Sequence, residues 1–74
     1  MVSEQSVQSD IAGSVWKIEV KVGDRVNEDD TLMVLESMKM EIPVAAPCAG
    51  TVIALQVGEG DSVSEGQVLA VIER

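Results

Sequence analysis

Residues 11–36 lie over residues 48–73 without a gap, at a constant offset of 37. Ile11-Ala12-Gly13-Ser14-Val15-Trp16 matches Cys48-Ala49-Gly50-Thr51-Val52-Ile53. Gly23-Asp24-Arg25-Val26-Asn27-Glu28 matches Gly60-Asp61-Ser62-Val63-Ser64-Glu65, and Thr31-Leu32-Met33-Val34-Leu35-Glu36 matches Val68-Leu69-Ala70-Val71-Ile72-Glu73. Two copies are too few for a stacked array, and each is too short to cover its own apolar face. The solution open to such a chain is two halves packed on each other about a rough two-fold axis. The segment from Ser37 to Pro47 belongs to neither copy and must join them.

Within the copies, secondary-structure signals are those of strands and turns. Trp16, Ile18, Val20 and Val22 alternate with mostly polar neighbours, which predicts a strand with one face inward, Trp16 packing in the core. Thr31 to Glu36 is nearly all apolar and reads as a strand covered on both sides. A strand is expected from about Met40 to Val44, with Pro43 marking an edge or a bulge. Others are expected over Val7–Ser9, from Gly50 to Val57 and from Val68 to Glu73. Gly23-Asp24 and Gly60-Asp61 are turn signals, glycine supplying positive φ and aspartate a bond to nearby amides. No window has helical periodicity bounded by caps. The expectation is an all-β chain of about eight short strands, with residues 1–6 a disordered lead-in and residues 7–74 a single domain.

Composition narrows the function. A chain of 74 residues has no space for a deep catalytic cleft. Its one aromatic residue offers no platform for stacking bases. Thirteen acidic against five basic side chains, a net charge of −8, oppose binding to a phosphate backbone, so nucleic acid is not an expected partner. The same charge favours a soluble monomer that docks and leaves. With one cysteine and no histidine, neither an intrachain disulfide nor a metal cluster is expected, and a cytoplasmic setting fits. No signal-peptide pattern and no apolar run of about 18 residues is present, so no membrane association is expected.

The joining segment holds the feature that the repeat does not explain. Glu36-Ser37-Met38-Lys39-Met40-Glu41 places one lysine between two methionines where the chain must turn. A tight hairpin turn favours glycine or asparagine, because its central residues sit at positive φ. This turn has neither, and local strain accepted at a projecting point hints at function. An exposed lysine is ordinarily a solubility group. Two thioethers beside it, outside the repeat, waste burial that a core could use, and methionine suits surfaces that must adapt to partners.

The run Glu36-Ser37-Met38-Lys39-Met40 resembles the Ala-Met-Lys-Met or Ser-Met-Lys-Met signature of biotinyl domains in the biotinyl/lipoyl carrier family, closest to its free-standing bacterial attachment proteins. The Gly-Asp turns, the Pro-Val-Ala-Ala-Pro run and the Val-Leu ending extend the resemblance over about residues 8–74. It implies a flattened barrel-sandwich hybrid of two four-stranded antiparallel sheets with pseudo-two-fold symmetry and the modified lysine on a hairpin turn. It implies Lys39 as the covalent biotin site, with Met38 and Met40 recognised by the ligase, and Ser37, Glu36 and Glu41 as further recognition candidates. A biotin protein ligase would then offer biotinyl-adenylate to the Lys39 amine and take up the proton that the nitrogen loses. The loaded arm would serve a biotin carboxylase and a carboxyltransferase, the carrier supplying reach while they catalyse.

The same family includes lipoyl carriers, and lipoate on Lys39, or dual modification, is the alternative. Lipoyl domains usually read Asp-Lys-Ala, from which Met38 and Met40 depart. A purely structural module of the kind found in membrane efflux adaptors would bring long helical insertions, which this chain lacks. An enzyme in its own right would have only lone carboxylates and Cys48, and Cys48 aligns with Ile11 as a small packed hydrophobe. The duplicated Gly-Asp pairs are read as turns. The tight offset leaves no room for the inserted thumb of some fatty-acid-synthesis carriers.

Overall fold

A computed structural model describes residues 3–74. It contains eight strands: β1 (Glu4–Gln8), β2 (Gly13–Ile18), β3 (Arg25–Val26), β4 (Thr31–Ser37), β5 (Met40–Ala45), β6 (Gly50–Leu55), β7 (Ser62–Val63) and β8 (Val68–Glu73). They form two four-stranded antiparallel sheets, ordered β1-β8-β6-β3 and β5-β4-β2-β7. The all-β, two-sheet architecture expected from the sequence is therefore present. Shifting β1, β8, β6 and β3 by the repeat offset lands them on β5, β4, β2 and β7, so the internal two-fold exchanges the sheets whole.

The backbone hydrogen bonds obey the same operation. Gly23 N–H donates to Val52 O (2.7 Å) and Gly60 N–H to Val15 O (2.8 Å). In return Val52 N–H donates to Asp24 O and Val15 N–H to Asp61 O, both at 2.8 Å. Each Gly-Asp turn is thus tied to a strand of the other half. Side chains repeat the pattern: Lys21 N–H donates to Asp24 Oδ2 (3.1 Å) and Gly58 N–H to Asp61 Oδ2 (2.8 Å), the turn role expected of both aspartates. Gly23 and Gly60 take φ of 100° and 90°, a region open to glycine at little cost.

Leu32, Leu35, Leu69, Ile72, Val15 and Val52 fill the space between the sheets and are fully buried. Ile11 and Cys48, matched in the repeat, both pack against this core from its margin. Pro43 lies on β5, an edge strand, where its missing N–H removes no ladder bond.

Two expectations need correction. Trp16 is 51% exposed, not part of the core, and Val22 is 58% exposed. A bulge between Val15 and Lys17 in the β2–β4 pairing resets the alternation. Val15 points inward, Trp16 is turned out, and Ile18 and Val20 resume contact with the core. The second correction concerns the chain start. β1 begins at Glu4, three residues before the expected strand, because Arg74 N–H donates to Ser3 O (2.8 Å) and holds the start against β8. Of the expected lead-in, Met1 and Val2 lie outside the described residues.

Gly13 and Gly50 each lie close against a neighbouring strand: a Cβ on either would come within 2.4 Å of the carbonyl oxygen of Glu36 or Glu73, respectively. Gly13→Ala and Gly50→Ala are each expected to cost about 1–3 kcal/mol by overpacking. Urea unfolding measures this, and wild-type stability in both variants would show that the approach is looser than described.

Candidate functional site

The turn between β4 and β5 is a continuous hairpin, a loop held on both sides by paired strands. At the place the two-fold relates to it, Arg74 N–H donates to Ser3 O.

The register of that hairpin is Leu35↔Ile42, Glu36↔Glu41 and Ser37↔Met40, which leaves Met38 and Lys39 as its two central residues. Their φ values are 54° and 65°. This is the left-handed geometry that a two-residue hairpin needs to match strand twist, and neither residue adopts it cheaply. Paired strands on each side impose it. Ser37 braces the base: its hydroxyl donates to Ala12 O at 3.0 Å, pinning the hairpin to the segment before β2.

Above this brace everything is open. Met38 is 92% exposed, Met40 60%, and Lys39 is exposed as well. Among the described residues the only ion pair joins Lys17 to Glu19 (3.4 Å), on another part of the sheet, so the Lys39 amine is unpaired. Met33 shows the contrast, being fully buried in β4. The hairpin offers an amine on a fixed stalk, with no His, Cys, Asp or Glu grouping able to hold a metal among the described residues.

Of the residues singled out in the sequence, the structure gathers Glu36, Ser37, Met38, Lys39, Met40 and Glu41 on this hairpin. Glu36 and Glu41 stand directly opposite each other and are both exposed. Two carboxylates in that relation repel modestly. The two-fold repeats them, since Glu73 pairs with Glu4 at the other end. The acidic pair is thus a property of both ends, while the two methionines and the lysine belong to one. Sequence reasoning missed Trp16 as a surface residue. The available signal was Val15-Trp16, two adjacent apolar residues that break the alternation, echoed by Val52-Ile53 at the matching bulge of β6.

The fold places Lys39 at an exposed, positive-φ turn between two paired strands. The family model described as "Biotin-requiring enzyme" matches residues 3–72. The chain is 46% identical over 41 residues to a biotin/lipoyl attachment protein of Bacillus subtilis, a match covering 55% of this chain and 56% of that one. It is 52% identical over 42 residues to the biotinylated protein TB7.3 homolog of Mycolicibacterium smegmatis, covering 57% and 59%. The chain thus spans little more than half the length of these curated relatives. Among solved structures it resembles part of Kluyveromyces lactis urea carboxylase, with a TM-score of 0.89, 34% identity, and coverage of 95% of this chain and 6% of that one. A single-chain, multi-domain long-chain acyl-CoA carboxylase matches with a TM-score of 0.90 and 32% identity, over 96% of this chain and 7% of that one. The chain belongs to the biotin/lipoyl family of biotin-requiring proteins.

Because Met38 and Lys39 hold positive φ, replacing them by the pair that hairpins favour, Met38→Asn with Lys39→Gly, is expected to raise stability by about 1 kcal/mol. Thermal or urea unfolding checks this. A less stable double variant would mean that the turn is not strained.

Proposed function

We propose that this chain is a biotin carrier in which Lys39 receives the biotinyl group and the hairpin presents it to two enzymes in turn. The observation that carries the reading is the unpaired, exposed amine of Lys39 at the summit of a positive-φ turn, flanked by two solvent-exposed methionines. The Lys39 nitrogen attacks the acyl carbon of biotinyl-adenylate, the C–N amide bond forms, AMP leaves, and the proton from nitrogen passes to a base of the ligase. When bound, biotin supplies a ureido nitrogen able to hold a carboxyl group.

The chain's own residues do the positioning. The Ser37 hydroxyl fixes the stalk, the left-handed turn aims Lys39 away from the sheets, and Met38 and Met40 offer deformable apolar contacts to an enzyme surface. Acylation removes the lysine charge and takes the net charge from −8 to −9. We assign the chain a non-catalytic role, with a biotin carboxylase and a carboxyltransferase as the partners that make and break bonds to the carboxyl group. Similarity to parts of urea and acyl-CoA carboxylases supports that assignment. No helix is long and apolar enough to cross a membrane among the described residues. We assign the carrier to the cytoplasm on its single free cysteine and lack of disulfides.

Lipoate on the same amine is the second reading, favoured by the name of the Bacillus subtilis relative, a biotin/lipoyl attachment protein. Co-expression with a biotin protein ligase, followed by avidin blotting and intact mass, tests both. Wild type should gain one biotinyl group and Lys39→Arg none. A biotinyl signal that persists in the variant would move the site to another lysine such as Lys17 or Lys21, and a lipoyl mass alone on native protein would replace the cofactor.

A further inference from the structure

Three of the chain's four methionines lie in β4, in the hairpin turn and at the start of β5. The fold treats them in opposite ways. Met33 is fully buried, whereas Met38 is 92% exposed and Met40 60%. The core cluster includes Met33 and neither of the other two. Met33 also has a place in the repeat, over Ala70, while Met38 and Met40 fall in the joining segment.

A thioether differs from other apolar side chains in keeping lone pairs open to two-electron oxidants. With hydrogen peroxide the sulfur attacks one peroxide oxygen, the O–O bond breaks, the S=O bond forms, and the displaced oxygen leaves as water with both hydrogens. Sulfur is oxidised by two electrons and the peroxide is reduced. The product is a polar, chiral sulfoxide, which methionine sulfoxide reductases return to the thioether, one enzyme for each epimer. Exposure sorts the sulfurs that react. Peroxide reaches Met38 and Met40 directly from solvent, and the two sheets shut it out at Met33. Cys48 is half-buried at the margin of the core.

We propose that Met38 and Met40 are a reversible oxidation site, at which peroxide turns the apolar flanks of Lys39 into sulfoxides and closes the hairpin to the biotin protein ligase. The effect on the ligase rests on the carrier reading above; the oxidation itself does not. Met38 shares the turn with Lys39, and Met40 follows it directly. An enzyme that closes over the Lys39 amine takes both side chains out of water. Burying a thioether is favourable, and burying an S=O group without a hydrogen-bond donor is costly. Oxidation therefore weakens docking and leaves the amine unchanged, so the loss falls on KM. The frame beneath is untouched, because neither side chain belongs to its core.

The intact carrier, treated with hydrogen peroxide and freed of it before biotin is added, tests both parts. A peptide map by mass spectrometry should find an added oxygen on Met38 and on Met40 while Met33 is still unmodified. With a purified biotin protein ligase, biotin and ATP, the oxidised carrier should show KM raised about tenfold, the size of an uncompensated polar group in a contact, with kcat and Tm unchanged. Methionine sulfoxide reductases A and B with dithiothreitol should restore the starting KM where dithiothreitol alone does not, and Cys48→Ala should respond to peroxide as wild type does. Oxidation of Met33 as fast as the hairpin pair overturns the site. An unchanged KM in carrier bearing both sulfoxides, a KM rise matched by loss of Tm, no recovery with the reductases, or a Cys48→Ala carrier whose KM peroxide leaves unaltered overturns the closure of the hairpin. Failure of untreated wild type to be biotinylated removes the carrier reading and that closure together, and the peptide map still decides the oxidation site.

Discussion

The structure depends on an exchange of backbone hydrogen bonds between halves. The Gly23-Asp24 turn is bonded on both its N–H and C=O sides to Val52, and the Gly60-Asp61 turn in the same way to Val15. Val15 and Val52 are buried, so their N–H and C=O groups need the other half's turn, and a buried backbone group left unpaired costs more than a made bond gains. The two copies therefore fold as one object, with their apolar residues enclosed by the crossing connections. Close approach of Gly13 to Glu36 and of Gly50 to Glu73 depends on the same arrangement, as only glycine leaves room there.

A frame built this way has two related ends, and the residues that break the repeat, Met38, Lys39 and Met40, lie at the end formed by the β4–β5 hairpin. Strain at Met38 and Lys39 is tolerated because β4 and β5 are paired down to Ser37 and Met40, and the frame beneath over-determines the turn. Exposure of the two methionines is the other concession. Their apolar area is kept out of the core, a loss of burial that weighs on a chain of this length.

Much of this was legible in the residues. The repeat pointed to the two-fold and to matching Gly-Asp turns, and its break fell on the stretch that the structure shows as the β4–β5 hairpin. The bulges were hidden, because an extra residue in a strand carries no distinctive composition. Val15-Trp16 registers only as a lapse in alternation, and reading period two from Trp16 onward sent the indole inward and the neighbouring face outward. The start of β1 was hidden for a different reason. Glu4, Gln5 and Ser6 have no strand-forming character of their own and are ordered by the edge of β8, a tertiary effect that local propensity cannot express.

The central claim is that a rigid two-fold frame presents Lys39 and takes no other part in carrying the cofactor. Amide chemical shifts of the unmodified and ligase-treated protein test it residue by residue. The account requires differences confined to the hairpin from Glu36 to Glu41, with β6 and β8 unchanged. Shifts spread through those core strands, or centred on Lys17 or Lys21, would contradict it.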